Sequence, residues 1–157
     1  NDLEIGLDRK FGIFYQWNIS LLERRVDELF KNKKFNIDQK FIGRSLLYRG
    51  LITEYFLNQG PNVDFDDVRS KIPKKLQFWI HNNLLELKKL SSSMNVSISE
   101  FALIHAFTKK NCFINLIGIR SFENLRSLKK IISMKASDVN DIKNIADKYV
   151  ISKSIIK

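Results

Sequence analysis

Three times along this chain a short apolar run ends in polar residues and gives way to the spacing of a helix. No other feature constrains the fold as much. The fullest instance is Phe113-Ile114-Asn115-Leu116-Ile117-Gly118-Ile119-Arg120-Ser121-Phe122-Glu123-Asn124-Leu125, an apolar run that turns at a glycine, places a cation and a hydroxyl in the turn, and resumes with helical spacing. A strand-turn-helix of this kind aims backbone N–H groups and a positive side chain at one point, which suits a phosphate. The first instance starts with Phe11-Gly12-Ile13-Phe14-Tyr15-Gln16-Trp17 and continues through Ser20 into a stripe of Leu21, Leu22, Val26, Leu29 and Phe30. Ser20 and Glu23 have capping-box spacing there, and the lysine-rich Lys31 to Lys34 closes the segment. The second starts with Lys40-Phe41-Ile42-Gly43-Arg44-Ser45-Leu46-Leu47 and runs into Tyr48 to Thr53, where Gly50 permits a tight turn.

The rest of the chain supplies helices. Residues 58–73 hold both prolines, Gly60 and three aspartates, and are expected to form a long loop. Leu76, Ile80, Leu84, Leu87 and Leu90 then recur every three or four residues, giving an amphipathic helix over 75–92. Ser97-Ile98-Ser99-Glu100 is a capping box with Val96 and Phe101 as its hydrophobic staple, so a helix runs from there to about Lys109. Ser121 caps a helix over Phe122 to Ile132, and a last helix starts at Ser137 with Val139, Ile142, Ile145, Ala146 and Tyr149 on one face. A polar tail occupies 152–157. Trp79 and His81 have no chemical neighbour in sequence and are read as packing or surface residues, and His105, inside the helix that follows Ser97, as a satisfied core or boundary histidine.

Short apolar strands, each followed by helix, specify βα units and a parallel sheet covered by helices, an α/β fold. Gln16, Arg44, Ser45, Arg120 and Ser121 then collect at strand C-terminal ends, the ligand face of parallel α/β folds. A length of 157 residues allows one domain with a real core. The single Cys112 rules out a disulfide framework or a cysteine metal site, and an intracellular, cytoplasmic compartment is expected. No apolar run approaches the ~18–20 residues of a membrane span, and no charged-then-apolar leader is expected within the first residues given. The first residue is Asn1 rather than a methionine, so a piece of a longer or processed product is expected. The net charge of +10 is dispersed in pairs such as Lys74-Lys75, Lys109-Lys110 and Lys129-Lys130 at helix ends and outer faces; neither a nucleic-acid nor a membrane partner is expected from it.

At this point the residues resemble a known family. Gln16-Trp17-Asn18-Ile19-Ser20-Leu21-Leu22-Glu23-Arg24-Arg25 is similar to the sixth-strand pattern of the aldo/keto reductases, and Arg44-Ser45-Leu46-Leu47-Tyr48-Arg49-Gly50-Leu51-Ile52-Thr53 to their seventh. Asp67-Val68-Arg69 resembles the acid-x-arginine of the loop that follows. Asn95 to Leu103 resembles the segment that introduces the helix before the eighth strand, and Ile117-Gly118-Ile119-Arg120-Ser121-Phe122-Glu123-Asn124-Leu125 the eighth-strand cofactor motif. The matches come in the family's order from about residue 11 to 150.

The resemblance implies the C-terminal part of a (β/α)8 TIM barrel, about three βα units plus a C-terminal helix, in one partial domain over 1–157. It implies an NAD(P)H-dependent oxidoreductase acting on a small-molecule carbonyl, with NADPH or NADH as cofactor. Gln16 would bond the nicotinamide carboxamide and Arg44 would pack beside that ring, while Ser45 and Leu47 would contact the pyrophosphate and adjoining sugar. Gly118, Arg120 and Ser121 would hold the adenosine-side phosphates, and Asn124 would lie beside the adenosine end. Leu128 stands where the family commonly has an adenine-binding asparagine, Ser20 replaces an asparagine, and Asn18 stands where relatives often carry proline. The family's catalytic aspartate, tyrosine, lysine and histidine lie on earlier strands, so no catalytic residue is expected here and the isolated chain is expected to be inactive. An N-terminal half-barrel or a second copy is expected as partner. The alternative is a non-catalytic nucleotide-binding or assembly module.

Overall fold

The structure, a computed structural model, describes residues 14–23, 27, 40–61, 67–110 and 112–149. The expected helix after Ser20 beyond residue 23, apart from residue 27, the lysine-rich segment, residues 62–66 of the expected 58–73 loop and the 152–157 tail lie outside them; within the described part of that loop the chain forms the end of a helix and a 3-10 turn. Three strands, β1 (Phe14–Asn18), β2 (Lys40–Arg44) and β3 (Cys112–Asn115), form one sheet in that order, parallel throughout. Phe14 pairs with Lys40 and Asn18 with Arg44, and the β2–β3 register shifts between Phe41 and Ile42. The parallel α/β sheet expected from the βα recurrence is therefore present. β2 stops at Arg44 rather than reaching Leu47, because the backbone turns left-handed at Ser45.

Among the described residues, five helices can be traced in full: α1 (Glu54–Gln59), α2 (Lys74–Ser93), α3 (Ile98–Phe107), α4 (Phe122–Ile132) and α5 (Ala136–Lys148). α2 exceeds its expected range by one residue at each end. α3 carries the full capping box: Ser97 Oγ accepts from Glu100 N, and Glu100 Oε2 accepts from Ser97 N at 2.8 Å. Glu54 binds across to the same helix start, accepting from Ile98 N and from Ser99 Oγ at 3.1 Å. α1 was not expected; its N-cap Thr53 accepts from Phe56 N and donates to Gly50 O, so the helix is fixed to the preceding turn. The last helix starts at Ala136 rather than Ser137, whose hydroxyl donates to Asp138 instead of capping.

The core is built around α3, which is buried from Ile98 to Ala106 except for Ser99, and which packs against α2, α4, α5 and β3. Phe101, Ile104, Leu87, Ile80 and Ile142 are all 1 % exposed or less. His105 lies within this core with Nδ1 3.5 Å from Asp147 Oδ1, in line with its reading as a core residue. His81 Nε2 is 2.9 Å from Leu57 O and edge-on to Phe56, again packing.

Along the strands, Phe41 and Gly43 turn to a buried face, and the opposite face presents Phe14, Gln16, Lys40 and Arg44 to the surface. Gly43 is required by close approach. A Cβ there would meet Asn115 Oδ1 at 2.5 Å, Cys112 Sγ at 3.0 Å and Ile19 Cδ1 at 3.2 Å, so β3 could not pair as it does. We expect Gly43→Ala to lower stability by about 1–3 kcal/mol through overpacking, seen as a lower urea midpoint at unchanged slope.

Candidate functional site at the strand ends

Where β1 and β2 end, the chain forms a cleft of about 220 Å³ lined by Asn18, Ser45, Tyr48, Arg49, Lys71, Ile72, Pro73 and Leu76. The turn after β2 builds one wall. Ser45, Tyr48 and Arg49 have φ of 55°, 47° and 57°, and Gly50 has φ of 81°. A non-glycine residue in this region costs on the order of 1 kcal/mol, and runs of them concentrate at ligand sites. The turn is held by Tyr48 N donating to Ser45 O at 2.8 Å, and by Gly50 N and Ile52 N both donating to Leu47 O. Leu46, Leu51 and Ile52 anchor it in the core, so the polar residues between them are pushed toward the cleft.

The second wall is the segment before α2. A 3-10 turn, Val68–Lys71, is capped by Asp67, whose carboxylate accepts from Arg69 N and Arg69 Nε, each at 2.8 Å, and from the Arg69 Nη2 group. The hydrogen bond from Arg69 is the main cause that lowers the pKa of the Asp67 carboxyl to about 2, with the charge of Arg120 a lesser contribution to the same shift. Arg69 also lies 5.3 Å from the Tyr55 ring centroid and 3.5 Å from Gln59 Oε1, which ties the segment to α1. From the other side, buried Gln77 on α2 donates to Arg69 O at 3.0 Å and Ile72 O at 2.7 Å. These contacts fix the backbone on either side of Lys71 and leave its side chain exposed at the cleft.

Two cations, Arg49 and Lys71, thus meet a hydroxyl and an amide across a small cleft. Asn18 Oδ1 is buried there without a hydrogen-bond partner among the described residues. A buried acceptor left in that state costs roughly 1–3 kcal/mol, a cost removed by a ligand N–H or O–H. With two cations for anionic oxygens, the donor set fits a phosphorylated ligand that also carries hydrogen-bond donors.

Of the residues singled out in the sequence, Ser45 lies in this cleft. Leu47 is half-buried behind it and contributes the carbonyl that ties the turn. Arg44 ends β2, exposed, with its carbonyl accepting from Ile19 N at 3.0 Å. Gln16 is exposed in mid-strand opposite Ile42, two residues before the end of β1; Asn18 holds the strand end expected for Gln16. Gly118, Arg120 and Ser121 follow β3 beyond the cleft lining. Ser121 caps α4 as expected, accepting from Asn124 N at 3.3 Å, and both Arg120 and Asn124 are exposed.

Asn18, Tyr48, Arg49 and Lys71 were not assigned roles from the sequence. Arg49 stood inside the quoted seventh-strand segment and could have been found there. Lys71 had no signal beyond its position before Pro73. Among the described residues no cluster of three or more His, Cys, Asp or Glu could hold a metal ion, and no helix is long and apolar enough to cross a membrane.

No protein-family model matches the chain, and neither does any curated protein. Solved structures do. A glycerol dehydrogenase from Gluconobacter oxydans superposes with a TM-score of 0.64 and 23% identity, over 92% of this chain and 46% of that one. An aldo-keto reductase from Bacillus halodurans superposes in its apo form with a TM-score of 0.60 and 16% identity, over 97% of this chain and 50% of that one. Its holo form gives the same TM-score and identity and is covered over 47%. This chain therefore has the fold of an aldo-keto reductase in part, a partial (β/α) barrel spanning about half the length of the solved structures it matches.

Proposed function

We propose that this chain is the cofactor-binding, C-terminal half of an NAD(P)H-dependent oxidoreductase of the aldo/keto reductase type. The observation that carries the proposal is the cleft at the ends of β1 and β2, where Arg49 and Lys71 face Ser45 and an unpartnered Asn18 Oδ1. The two cations and the Ser45 hydroxyl would take the pyrophosphate, and Asn18 would accept from a ribose hydroxyl or an amide N–H. Gln16 and Arg44, on the exposed sheet face beside the cleft, would meet the nicotinamide end. Gly118, Arg120, Ser121 and Asn124 would border the adenosine end, with Arg120 selecting the extra phosphate of NADPH.

When bound, NADPH supplies hydride to a carbonyl carbon. The residues described here orient that cofactor, and the segment 67–73, pinned by Arg69 and Gln77, closes one side of its site. The proton donor is placed on another part of the barrel. We accordingly expect negligible turnover of simple aldehydes by the isolated chain, followed as NADPH absorbance. Turnover above the cofactor-only blank would remove the assignment of this chain as a non-catalytic half.

The assignment at Arg120 has its own test. Arg120→Ala is expected to weaken NADPH binding by about 10-fold and leave NADH unchanged, since only the extra phosphate is lost as a partner. Equal effects on both cofactors, or none, would remove Arg120 from the site. A non-catalytic nucleotide-binding or assembly module is the second reading, favoured by the exposed apolar residues at the β3 end of the sheet. Retained nucleotide binding without turnover in the complete barrel would select it.

A further inference from the structure

Arg44 is a cation with no acid set against it. It ends β2 on the face opposite buried Phe41 and Gly43, and it is exposed. Its neighbours on both sides line the cleft: Ser45 follows it in the chain, and Asn18 is its register partner on β1. Among the described residues its guanidinium has no hydrogen bond or ion pair. The positions beside it on the open sheet face are neutral, with Gln16 paired to Ile42 and Ile42 to Ile114. No acid occurs in β1, β2 or β3 or among the residues that line the cleft, and the Asp67 carboxylate of the neighbouring segment is bonded to Arg69. The strand ends therefore hold a full positive charge that nothing in the described chain offsets.

We propose that Arg44 makes the site select the reduced dinucleotide over the oxidised one. The proposal rests on the reading of the cleft as the pyrophosphate site and adds to it a choice between redox states. With the pyrophosphate on Arg49 and Lys71, the nicotinamide end lies along the open ends of β1 and β2, where Gln16 and Arg44 stand. The nicotinamide ring is neutral in NADPH and carries one positive charge in NADP⁺, while the rest of the two molecules is the same. Arg49 and Lys71 act on the shared phosphates and so favour neither form. A charge beside the ring acts on the difference alone, and charge placed there is one of the ways a protein tunes a cofactor. Two like charges a few ångströms apart in a solvated site lower affinity by about 5-fold, and more where water is excluded. A guanidinium keeps its charge across the working pH range, so the preference is built in and is not a pH switch. Hydride transfer to a carbonyl leaves the charged ring beside Arg44, and the repulsion then favours its release and reloading with the reduced form.

The test is calorimetric titration of three ligands into the chain and into its Arg44→Gln and Arg44→Lys variants: NADPH, NADP⁺, and phospho-ADP-ribose, which keeps all the phosphates of NADPH and lacks the nicotinamide. The unaltered chain is expected to bind NADPH at least about 5-fold more tightly than NADP⁺, with the gap narrowing as salt rises. Arg44→Gln should shrink that ratio by about 5-fold, chiefly by tightening NADP⁺, whereas Arg44→Lys keeps the charge and should keep the ratio. Arg49→Ala should weaken NADPH and NADP⁺ equally and leave their ratio as it was. Arg44 is exposed, so a urea midpoint near wild type in each variant shows that the fold survives. An unchanged ratio in Arg44→Gln, or a ratio lost equally in Arg44→Lys, would overturn the proposal. If phospho-ADP-ribose still binds in that case, the cleft stands as a phosphate site and only the role of Arg44 falls. Failure of all three ligands to bind would remove the cofactor reading and this proposal with it.

Discussion

Replacing Arg49 and Lys71 together with alanine is expected to weaken NADPH binding by about 10- to 100-fold, the largest effect anticipated for any surface change in the chain. Both side chains are exposed at the cleft, so each charge-assisted hydrogen bond to phosphate is worth on the order of 1 kcal/mol rather than the larger value of a buried pair. The effect should shrink as salt rises, because solvent-exposed charges are screened. Stability should change little, since neither side chain carries core contacts; a urea midpoint close to wild type would check this. If affinity for NADPH survives the double change, the cleft is not the pyrophosphate site.

The largest loss of stability is expected at the centre of the core. Phe101→Ala should cost about 3–5 kcal/mol, because the ring is 0% exposed on the helix around which α2, α4, α5 and β3 pack. Loss on that scale is a large share of a typical domain's stability, and the variant is expected to be largely unfolded at moderate denaturant. A urea midpoint within experimental error of wild type would mean that α3 is not the organising helix. The outward Leu85 on α2, 52 % exposed, provides the contrast, and its alanine variant should change stability by less than about 1 kcal/mol.

The reason α3 is central was visible in its sequence. Ser97 and Glu100 have capping-box spacing, and both hydrogen bonds are present; an almost continuous apolar run after them marks a helix covered on all sides. Ser121 was legible for the same reason, since its hydroxyl acts within one turn of its own backbone. The three strands were legible as apolar runs, and their parallel pairing from the helical spacing of the sequence that separates them. Local signals could not place β2's end. Ser45, Tyr48 and Arg49 adopt a left-handed backbone that their residue types do not announce, and only Gly50 in that turn does.

The candidate site was half legible. Ser45 and the C-terminal strand ends were identified from the alternation of strand and helix, but the cleft depends on a segment brought over from residues 67–73. That segment is held by the local Asp67–Arg69 pair, whose spacing was visible in the sequence, and by Gln77, whose partners are set by tertiary packing and which reads in sequence as one more polar residue of an amphipathic helix. Lys71 reaches the site only because those contacts exist. Gln16 shows the complementary failure: the sequence marks a polar residue near a strand end, but strand length decides whether it or Asn18 occupies that end.

The most direct measurement is a titration of NADPH into the chain, followed by fluorescence and paired with hydrogen exchange. Saturable binding of one NADPH per chain is predicted, below about 1 mM. Slowed exchange should be confined to the C-terminal ends of β1 and β2, the turn 45–50, the segment 67–73 and the start of α4. Absence of saturation in that range, or saturation that leaves those segments exchanging as before, would contradict the assignment of this fold's strand ends as a cofactor site.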